Sequence, residues 1–226
     1  RLIAMTTDEN EGKVIITTTH SDSVSKSSVE TGYTVDSDGA IKIKRQINIT
    51  DNSLPEIPRI GVKFSLTGDF KNVSWFGRGP HESYWDRKQS AAIGFYSGSV
   101  WDQTFQYVRP QETGNKTDVY WMALETDKAG FMAIGLPQFD GSVHQYPYED
   151  LDYYPGSQKH GKLDIVSKNQ TDWLIDYKQM GVGGDNSWGA KPMKKYTLYP
   201  GIYEHSFILI PYRVGSDLNR VSKRRI

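Results

Sequence analysis

The stretch QMGVGGDNSWG, residues 179 to 189, has a composition that could do chemistry. Gly181, Gly183, Gly184 and Gly189 surround Asp185, Asn186, Ser187 and Trp188. Glycine-rich turns can cradle phosphate, but a phosphate loop closes with Gly-Lys-Ser/Thr so that the lysine reaches the ligand. That closure is absent here. A dinucleotide fingerprint opens a helix, whereas the following AKPMKKYTLYP reads as loop and then strand. A tight loop between strands fits better. Gly183 and Gly184 would supply positive φ angles, and Asp185 or Asn186 an Asx-turn. The tightness of the turn leaves Trp188 unexplained. An exposed indole on a rigid polar loop suits a stacking platform for a ligand.

Carboxylates offer a second chemistry. Two carboxyl groups ~5–5.5 Å apart, or roughly 6.5–9.5 Å apart, can cleave a glycosidic bond. The candidates are Glu82 with Asp86, Glu112 with Asp118, and the acidic run Glu149, Asp150 and Asp152. Nothing in their spacing marks a mutually tuned pair, and turn or surface carboxylates are the plainer reading. The acidic run has oxygen ligands suited to calcium but lacks the EF-hand pattern. The five histidines, His20, His81, His144, His160 and His205, show no metal-ligand spacing. A histidine beside a carboxylate, such as His81 or His144, could run acid–base chemistry on a sugar anomeric centre. A structural hydrogen bond is the commoner role for each. No Gly-x-Ser-x-Gly elbow supports a serine hydrolase.

Those residues must be held by strands. IKIKRQINI, residues 41 to 49, puts Ile41, Ile43, Ile47 and Ile49 on one face, with Arg45 the exception. Lys42, Lys44, Gln46 and Asn48 line the other, wet face. KVIITTT from Lys13 is a further strand, paired with it as a hairpin or meander through the Asp-Gly turn of VDSDGA. RIGVKFSL, residues 59 to 66, alternates again. VYWMALE and GFMAIGL flank a hairpin at Asp127 to Gly130, and KKYTLYPGIYEHSFILI reads as two strands across Pro200-Gly201. EDLDYYPGSQKHGKL, residues 149 to 163, is irregular, with room for one helical turn. The closing VGSDLNRVSKRRI reads as a frayed basic tail. Fourteen Tyr, six Trp and eight Phe favour strands and a sandwich core. The expectation is an all-β fold, one large antiparallel β-sandwich over residues 1 to 226.

Composition narrows function further. The 27 basic and 27 acidic residues cancel, so nothing draws the chain to nucleic acid or to an anionic membrane. There is no cysteine, hence no thiolate metal site and no redox clue to compartment. No apolar run reaches membrane-spanning length.

Two long stretches carry a family resemblance. SWFGRGPHESYWDRKQSAAIGFYSGSV, residues 74 to 100, and QYVRPQETGNKTDVYWMAL, residues 106 to 124, resemble the C-terminal domain of family two β-galactosidases. PRIGVKFSL, residues 58 to 66, and MGVGGDNSWG resemble the same family, in the same order. The match is weak up to about Asp51. The resemblance implies a supersandwich of the galactose mutarotase type. It also implies an enzyme that hydrolyses terminal β-galactosides such as lactose with retention, through glutamates in a separate barrel domain. No catalytic residue is therefore assigned here, and no cofactor; Mg or Na would belong to the barrel. What transfers is Trp188, as an aromatic platform at the aglycone side. Gly183, Gly184, Asp185 and Asn186 support its loop. Arg78, Asp86, Arg87 and Glu112 are expected in buried polar networks.

On this reading the chain is an N-terminally truncated segment of a bacterial enzyme, cytoplasmic or periplasmic. Its partners are a β-galactoside and a barrel domain or large subunit, and an incomplete sheet edge would favour an oligomer. Two alternatives stand beside it. One is a stand-alone sugar-binding or mutarotase-like sandwich using His81 or His144. The other is a scaffold domain with Trp188 buried at a subunit interface.

Overall fold

Apolar residues that alternate with polar ones must bury one face, and here they do so in strands. The computed structural model describes residues 1–152, 164–186 and 188–226. Its strands are β1 (Leu2–Asn10), β2 (Lys13–Asp22), β3 (Ser27–Val35), β4 (Ile41–Ile49), β5 (Arg59–Thr67) and β6 (Asn72–Gly79). They continue as β7 (Ala92–Ser99), β8 (Lys116–Glu125), β9 (Ala129–His144), β10 (Gln170–Gln179) and β11 (Ile202–Arg213). A short helix, α1 (Leu218–Val221), follows.

All eleven strands join one antiparallel network in the order β1-β2-β3-β4-β11-β9-β8-β6-β7, with β10 pairing β9 and β5. Strand β9 makes the fold two-layered. Its first half, Ala129 to Gly135, pairs with β11, and its last residues, Asp140 to His144, pair with β10. Pro137 lies between and offers no N–H to a ladder, which lets the strand leave one layer for the other. The β5–β10 layer thereby folds back over the long sheet. Phe64 of β5 meets Phe207 of β11 edge-on at 6.3 Å and Trp173 of β10 at 6.3 Å. Around them lie Ile43, Val73, Trp75, Val119, Met122, Leu124 and Phe139, all buried.

The alternation in β4 is as the sequence predicts. Ile43 and Ile47 are buried, while Lys44 and Gln46 face water. Arg45, the odd residue on the inner face, donates from Nη1 to the Gly61 carbonyl at 2.5 Å.

Three parts of the chain differ from the sequence reading. The partner of β2 is β3, which lies between β2 and β4 and contains Gly32 and polar residues that obscure its alternation. KKYTLYP is no strand: Lys194–Tyr196 forms a 3₁₀ turn, and only Leu198 bridges to Ile57. The C-terminal segment is docked rather than frayed. Asp217 caps α1 through Asn219 N at 2.9 Å, and Leu218, Val221 and Ile226 pack on a second cluster around Trp121, Met132 and Ile208. The helical turn expected after Glu149 begins one residue earlier, at Tyr148–Leu151. Residues 153–163 of that stretch, with His160, lie outside the described residues.

Strand β1 pairs only with β2 and is exposed along its length. Substitution should therefore discriminate sharply between layers. Phe207→Ala is expected to cost about 3–5 kcal/mol, the range for truncating a buried phenylalanine. Leu2→Ala should stay within about 0.5 kcal/mol. Guanidinium unfolding of the two variants checks this.

Candidate functional site

The glycine-rich loop leaves β10 through a set of backbone bonds. Met180 N donates to the Pro58 carbonyl at 3.0 Å and Gly181 N to the Tyr196 carbonyl at 2.8 Å. The chain then reverses through Gly183 (φ +66°) and Gly184 (φ +100°), a left-handed region that penalises any side chain. Asn186 Oδ1 accepts from Trp188 N at 2.8 Å, an Asx-turn. Asp185 is exposed at the bend. Ser187 lies outside the described residues. Trp188 stands in solvent at 93% exposure.

What fixes this loop is Asp86, a residue the sequence offered as a carboxylate partner of Glu82 or as part of a general polar network. Its Oδ2 accepts from Gly183 N at 2.8 Å and its Oδ1 from Val182 N at 3.1 Å. Gly181 packs so closely that a Cβ there would lie 2.5 Å from Asp86 Oδ2. The neighbouring Trp85 meets Tyr196 edge-on at 5.8 Å and carries the Lys178 ammonium 5.2 Å from its ring centre. Two aromatic rings and one carboxylate thus seat the loop on the rest of the fold. A cleft of about 460 Å³ opens alongside, lined by Trp85, Asp86, Arg87, Lys88, Gln89, Ser90 and Tyr196.

The other carboxylates are engaged in separate structural networks. Glu82 accepts from Arg87 at 2.7 Å, from Gly114 N at 2.8 Å and from the Tyr107 hydroxyl. Asp118 is shared by Arg78 at 2.6 Å and Lys88 at 2.8 Å, which hold its carboxyl below the usual range against the opposing effect of burial. Glu112 pairs with Arg59 at 3.0 Å and accepts from the Tyr148 hydroxyl. Glu149 pairs with Lys63, and Asp150 with Lys168. Arg87 is half exposed, so only part of its expected network is buried.

A polar centre missed in the sequence lies on β10. Asp176 is buried beside Arg59 at 2.9 Å, and burial pushes its carboxyl well up despite the guanidinium. Asp140 opposite is pushed up to about 6, chiefly by burial. Both sit among residues buried on two faces, so no alternation marks them.

The histidines divide by burial. His81 is exposed, with Nε2 3.0 Å from Ser90 Oγ. His144 is fully buried, with Nδ1 3.1 Å from the Tyr146 hydroxyl, and burial together with the nearby Arg59 lowers it to about 3. Burial likewise lowers His205 to about 4. Among the described residues no group of three or more His, Cys, Asp or Glu could hold a metal ion, and no helix is long and apolar enough to cross a membrane.

Two measurements follow from this geometry. Asp86→Ala removes both acceptors, so hydrogen exchange at Val182 and Gly183 should quicken, with a stability loss of about 1–3 kcal/mol. The His144 ring, neutral when folded, is protonated in the unfolded chain below pH 6.5. Its contribution is present above 6.5 and is lost as pH falls toward about 3. Stability should fall less steeply across that window in His144→Phe, as followed by urea midpoints.

The fold agrees with comparisons to known proteins. Residues 2–209 match the family model described as "Beta galactosidase small chain". A β-galactosidase of Priestia megaterium is 42% identical over 79% of this chain. One from Halalkalibacterium halodurans is 30% identical over 88% of it. The chain spans only 17% and 20% of the lengths of these two relatives. Among solved structures, a GH36 alpha-galactosidase of Geobacillus stearothermophilus in complex with 1-deoxygalactonojirimycin aligns over 94% of this chain and 26% of its own. Its TM-score is 0.50 and its identity 10%, a likeness of fold alone. The chain belongs to the beta galactosidase small chain family.

Proposed function

We propose that this chain is a domain of a retaining β-galactosidase acting on terminal β-D-galactosides such as lactose. It contributes Trp188 as an aromatic platform to an active site whose catalytic glutamates lie in a barrel domain outside these residues. The observation that carries the reading is the pairing of opposites at one loop: an indole 93% exposed, on a loop whose first residues, Val182 and Gly183, are pinned by Asp86. An exposed indole presents a large apolar face that a ligand can cover. The apolar face of a pyranose suits that role, since stacking excludes water from both faces while the sugar hydroxyls remain hydrated.

The carboxylates of this chain support the division of labour. Glu82, Glu112 and Asp118 are each bound to cations or hydroxyls within the fold. A nucleophile or acid for glycoside cleavage must come from elsewhere in the full-length enzyme. The barrel or large subunit is the partner that supplies it, and the galactoside lies between the two.

In the full-length enzyme, Trp188→Ala is expected to lower kcat/KM for lactose by ~10-fold, about 1.4 kcal/mol. KM should carry most of the change, and Trp188→Phe should restore part of it. Unchanged kinetics would remove Trp188 from the substrate site. These 226 residues alone should show no hydrolysis.

A further inference from the structure

Away from the glycine-rich loop, Lys116 opens β8 at 3% exposure. Its Nζ donates to the Gly114 carbonyl at 3.2 Å and lies 5.2 Å from the centre of the Trp75 ring. Among the described residues no carboxylate pairs with it within 4.0 Å. A buried ammonium without a counter-ion is costly, and buried charges are ordinarily paired.

Lys116 also lines a cavity of about 280 Å³ with Pro80, His81, Glu82, Gln103 and Thr104. Glu82 on that wall attracts the Lys116 ammonium from beyond pairing distance, but it is itself paired with Arg87 at 2.7 Å and accepts from Gly114 N. Asp102 stands at the exposed rim and accepts from Ser99 Oγ at 2.7 Å. His144, the remaining titratable group near Lys116, is neutral and buried. Among the described residues the amine donates to the Gly114 carbonyl alone, so it keeps two further N–H groups and a positive charge on a residue that lines open space.

We propose that this cavity binds a small oxyanion, a carboxylate or a phosphate, as the counter-ion of Lys116. The volume admits a molecule of several heavy atoms. The imidazole of His81 lines the same wall and offers a second polar group. The site is separate from Trp188 and does not depend on the function proposed above. Burial lowers the Lys116 ammonium to about 8 against the attraction of Glu82, and an anion alongside would stabilise the charge that burial disfavours. Anion affinity should fall once the amine deprotonates, whereas acetate keeps its charge over the same range.

Hydrogen exchange on the full-length protein, read at peptides covering His81–Tyr84 and Gly114–Thr117, tests this with sodium acetate and with inorganic phosphate at constant ionic strength. At pH ~6.5 either anion should slow local exchange, and acetate should act about thirtyfold more weakly at pH ~9.5. The effect should vanish in Lys116→Met. Phosphate acting without acetate, or the reverse, identifies which oxyanion the site takes. If Lys116→Met fails to fold, the two pH values in wild type decide. No slowing by either anion at pH ~6.5, an effect of acetate equal at both pH values, or one that persists in Lys116→Met would overturn the proposal.

Discussion

The carboxylate of Asp86 holds a loop that begins almost a hundred residues further along the chain. Its two hydrogen bonds, at 2.8 and 3.1 Å, satisfy the N–H groups of Gly183 and Val182 where the backbone turns through positive φ. No strand ladder could reach those groups. The residues around the clamp are shaped to it. Gly181 has no room for a side chain, and Trp85 and Tyr196 close one flank. Nearer the tip of the loop, Asn186 Oδ1 accepts from the Trp188 N–H in an Asx-turn.

A sandwich that folds one sheet back on itself has few loops free of packing duties. Here the blocks GRGPHESYWDRK and RPQETGN tie themselves together through Glu82, Ser83 and Asn115. Asn115 Nδ2 donates to the Ser83 carbonyl at 2.8 Å, and Ser83 N to the Asn115 carbonyl at 2.8 Å. These bonds compensate for burying polar groups between layers. They also leave the acids of that region committed to structure, which directs the functional reading to an aromatic ring rather than to a carboxylate pair.

Legibility in the sequence followed periodicity. Strand β4 could be read residue by residue because one face is wet and the other dry. Strand β10 could not. Asp172, Trp173, Leu174, Ile175 and Asp176 are all buried, so polar and apolar residues share both faces and no period survives. Docking of the C-terminal segment was hidden for a related reason: Leu218, Val221 and Ile226 are too few and too scattered among Arg and Lys to show a pattern. The loop chemistry was legible as glycines plus an Asx-turn, since those depend on neighbours in sequence. Its clamp was not, because Asp86 acts across a distance that only the fold closes. Lys116 was equally silent, an ordinary lysine until the fold buries it.

The account rests on Asp86 acting through the Trp188 loop, and a double-mutant cycle on kcat/KM in the full-length enzyme tests that most directly. Asp86→Ala should lower kcat/KM when Trp188 is present and change it little once Trp188→Ala is in place, giving a coupling energy of about 1 kcal/mol. Effects that simply add, with Asp86→Ala equally costly in both backgrounds, would contradict the account and leave Asp86 with a structural role alone.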